Sequence, residues 1–247
     1  MNKEYPLDEI LLPMNGTSVK DPAKMEEIWE SDEYIAEPKL DGSRYISIGG
    51  RFFSRRLSVK DGMPVEKTDN VPHLSKFLSE FPNLILDGEV YLPGGNSNDV
   101  TSIMGSKPDR AIELQHEQGY LYYFIFDVLR DVDGTWLLDL PWKVRRERLE
   151  KIYYDLLYLE YGINDIRLVD YVSDNKKEYF IEILEQGGEG VMLKNINGVY
   201  VPDKRPRWNW IKVKREMTDD VVIMSFEPPV MEYTGKELDT WPYWVQK

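Results

Sequence analysis

Lys39, Asp41, Gly42 and Arg44 stand within six positions in the run Lys39-Leu40-Asp41-Gly42-Ser43-Arg44, which brings together an amine, a carboxylate, a flexible backbone residue and a guanidinium. Desolvation and neighbouring cations drive a lysine toward its neutral, nucleophilic form, and a glycine beside it lets the backbone approach a ligand closely. A solvated strand end followed by a turn would also produce such a string, so its meaning depends on the rest of the chain.

Four further strings carry groups of the same kind. Leu86-Asp87-Gly88-Glu89-Val90 sets two carboxylates two positions apart on a strand, which turns them to one face, where they could meet a ribose hydroxyl or a hard divalent cation. Taken alone, the string is better explained as an Asp-Gly turn capping a strand. In Gly187-Gly188-Glu189-Gly190-Val191-Met192-Leu193-Lys194, an acid stands between glycines at the mouth of a strand; helix termination explains Gly187 and Gly188 but leaves Gly190 without a reason. Period-two alternation in Trp210-Ile211-Lys212-Val213-Lys214-Arg215 puts Trp210, Lys212 and Lys214 on one face and Ile211 and Val213 on the other. Two adjacent ammonium groups repel unless an anion lies between them, and a phosphate meets that need. Tyr122-Tyr123-Phe124-Ile125-Phe126-Asp127 is an aromatic strand ending in an acid, mostly core but able to spare one ring for stacking on a base.

The elements that must position these groups follow from local pattern. Asp21-Pro22 opens a short helix to Glu30. Strands are expected over Tyr34 to Glu37, Ser43 to Ile48 and Arg51 to Arg56, the last two joined by a tight Gly49-Gly50 turn. A helix over Leu74 to Glu80 precedes interior strands over Leu84 to Leu92 and Leu121 to Leu129. Pro141 opens the longest helix, with Val144, Leu149, Ile152 and Leu156 on its buried face and Gly162 at its end. A strand over Ile166 to Val172, a helix over Lys176 to Gln186, and strands over Val191 to Lys194 and Trp210 to Arg215 complete an α+β pattern on antiparallel sheets. A further strand is expected over Val221 to Phe226, and no linker precedes about residue 216.

With 247 residues, 42% hydrophobic and 13% aromatic, the chain can pack a substantial core. No signal peptide or membrane-spanning run is present, so a cytoplasmic setting is expected. The absence of cysteine excludes disulfides and thiolate metal sites, and two histidines far apart in sequence, His73 and His116, argue against a zinc or histidine-base site. A net charge of -13 argues against indiscriminate nucleic-acid binding. Two local exceptions stand out: Lys39, Arg44, Arg51, Arg55, Arg56 and Lys60 against the single acid Asp41, and six cations with no acid between Lys204 and Arg215. Such patches on an acidic body suit a polyanion held at one place.

Taken in order, the strings resemble the covalent nucleotidyltransferases, and most closely the adenylation domain of ATP-dependent DNA ligases. The resemblance rests on five motifs: Lys39-Leu40-Asp41-Gly42-Ser43-Arg44, Asp87-Gly88-Glu89, Phe124-Ile125-Phe126-Asp127, Glu189-Gly190-Val191-Met192-Leu193-Lys194 and Trp210-Ile211-Lys212-Val213-Lys214. It spans roughly Glu37 to Glu216 and extends loosely to Tyr5 through Met14. It implies an ATP-grasp-like α+β nucleotide-binding domain over residues 1–216, with 217–247 as a linker or the start of a truncated C-terminal OB-fold domain.

The resemblance also implies a reaction: Lys39 attacks the α-phosphorus of ATP, expels pyrophosphate and carries AMP, which passes to the 5′-phosphate of nicked double-stranded DNA before the 3′-hydroxyl seals it. Glu37 would then recognise the adenine amino edge with Leu40 beside it, Arg44 and Glu89 the ribose, and Phe126 the base. Glu89 and Glu189 would hold Mg2+ (or Mn2+), and Lys212 and Lys214 would neutralise the α-phosphate. The enzyme would act as a monomer, away from membranes, in the cytoplasm of its own cell or of a viral host.

The chain departs from the family pattern in places. It has Ser54-Arg55-Arg56-Leu57 where members often carry Thr-Arg-x-Gly, which leaves Arg55 as the candidate for the nick 5′-phosphate, while Arg205 and Arg207 compete for one further phosphate contact. An NAD-dependent ligase would need an upstream domain and usually cysteines. An RNA ligase or an mRNA-capping guanylyltransferase shares the chemistry, and a non-catalytic nucleotide or nucleic-acid binding module would share the pocket without turnover.

Overall fold

The computed structural model describes residues 11–158 and 165–215. All belong to one compact unit, Met1–Arg215; the expected strand over Val221 to Phe226 and the helix end at Gly162 lie outside the described residues.

Among the described residues, nine strands make two sheets. β1 (Tyr34–Pro38), β8 (Gly190–Asn195) and β9 (Trp210–Lys214) form a three-stranded sheet in the order β1-β8-β9. The second sheet has β2 (Ser43–Ile48), β3 (Arg51–Leu57), β4 (Pro64–Glu66), β5 (Ile85–Tyr91), β6 (Tyr122–Arg130) and β7 (Ile166–Leu168), in the order β4-β3-β2-β5-β6-β7. Every pairing is antiparallel except β6 with β7, which run parallel. The β2–β3 turn needs two left-handed residues, and Gly49 (φ 52°) and Gly50 (φ 81°) supply them.

Alternation along the strands divides the apolar residues among three layers. Tyr45, Leu86 and Tyr123 point outward from the larger sheet to a core completed by α2 (Pro72–Leu78), α3 (Ser97–Gly105), α4 (Pro108–Gln118) and α5 (Trp142–Lys151). Ile46, Ile85 and Trp210 point inward, between the sheets. Val191, Leu193 and Ile211 pack on the far side of the smaller sheet with α1 (Pro22–Glu30) and α6 (Lys176–Glu185). Asp21 caps α1 as expected, accepting from the backbone N–H of Ala23 at 3.0 Å. No helix among the described residues is long and apolar enough to cross a membrane.

Several elements differ from expectation: β4 was not foreseen, and the strand expected over Ile166 to Val172 ends at Leu168. α3 and α4 were not anticipated, although an Asn96/Asp99 capping box and Pro108 at the first turn announce them. The long helix after Pro141 ends at Lys151 and continues as a π-helical turn, Ile152–Tyr158. Its inner face is also different: Val144 is 37% exposed, whereas Trp142, Arg145, Arg146 and Leu149 are buried. Arg145 turns inward because Asp127, itself buried within β6, takes both its Nε and Nη2 at 2.8 Å. A paired arginine can thus occupy a core position that a hydropathy pattern reserves for valine.

Candidate active site

A cavity of about 700 Å³ opens between the two sheets. Its wall on the smaller sheet is built from Glu37, Met192, Lys194, Trp210 and Lys212, and its wall on the larger from Arg44, Tyr45, Arg55, Arg56, Glu89 and Phe126. Lys39 and Leu40 line it just beyond the end of β1. The β1–β8 ladder continues into this loop, where the Lys39 backbone N–H donates to the Gly190 carbonyl at 2.9 Å.

Glycine is required at both motifs that meet here. A Cβ on Gly42 would lie 2.3 Å from the Val90 carbonyl oxygen. Gly190 has φ 144°, and a Cβ there would lie 2.1 Å from the Val213 carbonyl oxygen. The residue that helix termination left unexplained is therefore needed for close approach of β8 to β9.

Lys39 Nζ forms an ion pair with Glu189, whose other oxygen pairs with Lys214. Lys212 makes no ion pair among the described residues. Burial depresses its pKa, and the positive charges of Arg205, Lys214, Lys39 and Arg55 depress it further. Five cations thus crowd one end of the cavity with Glu189 between two of them, an arrangement that favours an anion with several oxygens. The charge of Arg205 acts on Lys212, whereas Arg207 stacks on Trp208, with its guanidinium 4.7 Å from the ring centroid.

At the other end, Arg44 grips Asp87 with Nε and Nη2, donates Nη1 to the Met14 carbonyl at 2.7 Å, and lies 5.4 Å from the Phe126 ring centroid and 5.0 Å from that of Trp210. Glu89 sits opposite Arg44 in the β2–β5 register, so Asp87 and Glu89 do share the cleft-facing side. Only Glu89 lines the cavity; Asp87 is fully buried and also accepts from the Tyr200 hydroxyl at 2.6 Å. Glu37 is buried with Oε2 2.6 Å from Lys194 Nζ. Its Oε1 has no hydrogen-bond partner, and the nearest cation, Arg146, is 3.9 Å away. Phe126 presents its ring to the cavity beneath Lys194 Nζ, 4.5 Å from the centroid.

The profile of the ATP dependent DNA ligase domain matches residues 13–214, which contain every group just described. The chain belongs to this ligase family. The DNA ligase of Methanocorpusculum labreanum is 33% identical over 214 residues, covering 78% of this chain and 34% of that protein. The DNA ligase of Thermococcus fumicolans is 36% identical over 229 residues, covering 88% of this chain and 38% of that protein. The chain thus spans about a third of the length of the curated relatives it matches. Among solved structures, the ligase domain of M. tuberculosis LigD superposes with a TM-score of 0.59 at 22% identity, covering 83% of this chain and 59% of that one. Chlorella virus DNA ligase-adenylate superposes with a TM-score of 0.58 at 19% identity, covering 83% and 69%. These likenesses establish the α+β fold of the ligase adenylation domain.

Several members of this ligase site were not singled out in the sequence. Lys194 ends a quoted motif, yet its part in holding Glu37 appears only across the β1–β8 pair. Tyr200 lies outside all five motifs and bridges β5, Arg44 and the segment before α1, accepting from the Met14 backbone N–H at 3.0 Å. A lone tyrosine in a loop carries no local signal of such a role. Both histidines pack edge-on against the ring of Tyr120, and among the described residues no three His, Cys, Asp or Glu side chains gather as a metal site.

Burial pushes the Glu89 carboxyl up to about 8, against the lowering charges of Arg44 and Lys39. The folded domain therefore holds a proton that the unfolded chain releases near 4.5, and the stability Glu89 confers below that pH is lost as pH rises through about 8. Glu89→Gln should remove this slope. In urea denaturation with a chelator present, its stability relative to wild type should climb between about pH 5 and 8 and then level off. A difference that stays constant across that range would contradict a protonated Glu89 carboxyl.

Proposed function

We propose that this domain carries out the adenylation chemistry of an ATP-dependent DNA ligase. The observation that carries the reading is the pairing of Lys39 with Glu189 at the mouth of the cavity, facing Arg55, Arg205, Lys212 and Lys214. A volume of about 700 Å³ is of the size that holds a nucleotide-scale ligand. Phe126 offers a ring for the base, the unpartnered Glu37 oxygen suits an exocyclic amine, and Glu89 with Arg44 lies where a ribose would rest.

In the proposed step Lys39 yields a proton, with Glu189 as the adjacent acceptor, and its Nζ lone pair forms a bond to the α-phosphorus of ATP. The bond from that phosphorus to the bridging oxygen breaks, and pyrophosphate leaves with the electron pair. Lys212 and Lys214 neutralise charge growing on the α-phosphate. A bound Mg2+ or Mn2+ would supply further charge neutralisation, and Glu89 and Glu189 are the carboxylates placed to hold it. Two carboxylates suffice because magnesium in such sites takes its remaining ligands from phosphates and water. AMP would then pass to the 5′-phosphate of a DNA nick, met by Arg55 and Arg205, and the 3′-hydroxyl would displace it to seal the strand. Arg205 is preferred to Arg207 because its charge acts on Lys212. Nick sealing, the DNA partner, a monomeric state and a cytoplasmic setting are proposals for the whole protein, since the aligned region covers only 34% of a relative such as the Methanocorpusculum labreanum DNA ligase.

Incubation with ATP and magnesium followed by intact-protein mass spectrometry should show one added AMP. Parallel reactions with GTP and with NAD should show none, which would exclude the capping and NAD-dependent readings. A mass that never changes, in protein that also carries no AMP as purified, would sink the proposal.

A further inference from the structure

The hairpin of β3 and β4 combines properties that the nucleotide site does not use. Its turn exposes Val59 completely and Leu57 and Met63 by about half, three large apolar side chains within seven positions. Exposed apolar groups scattered singly need no explanation, but a cluster on one projection does. The turn is built, not loose: the Ser58 backbone N–H donates to the Met63 carbonyl at 2.7 Å, that of Gly62 to the Ser58 carbonyl at 2.8 Å, and that of Met63 to Asp61 Oδ1 at 3.0 Å. Gly62 takes the left-handed conformation the turn requires, with φ 72°. Asp61 is the hairpin tip's single acid, and these internal bonds occupy it.

Around the apolar tip stand Arg55, Arg56 and Lys60, all exposed, on a chain whose net charge is -13. Arg55 and Arg56 also line the cavity, so the basic surface runs without a break from the reaction site to the tip. An acidic protein surface would be repelled by neither flank, but only a polyanion with an apolar interior uses both the cations and the tip. Duplex DNA is such a partner. Its minor groove, about 6 Å wide, admits single aliphatic side chains as wedges between base steps while cations hold the phosphates on either side.

We propose that the β3–β4 hairpin is a second contact to duplex DNA, with Leu57, Val59 and Met63 entering the minor groove and Arg55, Arg56 and Lys60 gripping the flanking backbone. The proposal rests on the ligase reading above. Val59 follows Arg56 by three positions, at most about 10 Å at roughly 3.3 Å per residue. At about 3.4 Å per nucleotide along one strand, the tip would meet the duplex about three base pairs from a phosphate held at the cavity mouth.

Because the chain contains no cysteine, Val59→Cys carries a unique thiol on a fully exposed residue and can be labelled with an environment-sensitive fluorophore. Titrating the labelled full chain with nicked duplex at low salt should shift its emission to the blue and shield it from iodide. Leu57→Ser/Val59→Ser/Met63→Ser should weaken binding about tenfold, the order of one aliphatic burial, with thermal midpoint and salt slope unchanged. Lys60→Ala should instead reduce the slope of log K against log salt by about one. A label that stays open to iodide at saturating DNA, a triple variant that binds like wild type, or a label shielded by anionic vesicles and not by DNA would each overturn the proposal. If AMP uptake on wild type succeeds while these outcomes fail, the hairpin inference falls alone; if AMP uptake fails as well, the ligase reading falls with it.

Discussion

Lys39→Ala and Lys39→Arg are both expected to take up no AMP from ATP, a loss of the entire signal and not of a fraction of it. Alanine removes the nucleophile. Arginine keeps the charge and can keep the partner Glu189, but a guanidinium stays protonated at any working pH and offers no lone pair to the α-phosphorus. If the two variants fail alike, the amine and not the charge is what the reaction needs. Their stability should stay within about 1 kcal/mol of wild type, because the Lys39–Glu189 pair is partly exposed and Glu189 keeps Lys214 as a second partner. Intact mass and a urea titration on the same samples check both expectations. AMP uptake by Lys39→Ala, with the adduct mapped to Lys212 or elsewhere, would mean that the nucleophile has been misassigned.

Lys194→Met should cost about 3–5 kcal/mol of folding stability, the largest stability effect expected of any single change at the site. Lys194 and Glu37 are both buried and lie 2.6 Å apart, and removing the lysine leaves a carboxylate enclosed with Arg146 only at 3.9 Å. Burial already raises the Glu37 pKa against the lowering effect of Lys194, so the variant should bind a proton there more tightly. A raised carboxyl stabilises the fold below its unfolded value and loses that contribution as pH rises, so the defect should shrink toward acid. Glu37→Gln combined with Lys194→Met removes the buried charge and should recover most of the loss. Urea midpoints for the two singles and the double, at neutral and acid pH, decide this. A near-native midpoint for Lys194→Met at neutral pH would show that the pair is not carrying Glu37.

The same pair bears on substrate choice under the ligase reading. Lys194 holds one oxygen of Glu37 and lies 4.5 Å from the centroids of both Phe126 and Trp210, so the acceptor for the base and the aromatic wall beside it are set by one ammonium group. At the opposite end one carboxylate, Glu189, is shared by Lys39 and Lys214, and Lys212, among Arg205, Lys214, Lys39 and Arg55, makes no ion pair among the described residues. One end of the cleft is electrostatically closed and the other is left demanding an anion. Under the proposed ligase reading, that asymmetry would give a nucleotide a single orientation, with the base inward and the phosphates toward Lys39 and Lys212.

Much of this could be read locally. The hairpin at Gly49-Gly50, the capped first helix and the face shared by Trp210 and Lys212 depend on neighbours one to four positions away, where backbone sterics and side-chain alternation decide the outcome. The five motifs were likewise legible because each keeps its groups within one strand and turn. Pairings between distant residues were not: Lys39 with Glu189 across 150 positions, Glu37 with Lys194, and Tyr200 with Asp87 across 113. The inward turn of Arg145 and the outward turn of Val144 reversed the hydropathy pattern for the same reason. A charged side chain is a surface residue until its partner is known, and the partner comes from another strand. The types of the reactive groups are thus written in the chain; which of them face each other, which carboxylate is spent on structure and which stays open to a ligand follow only from how the two sheets close on one another.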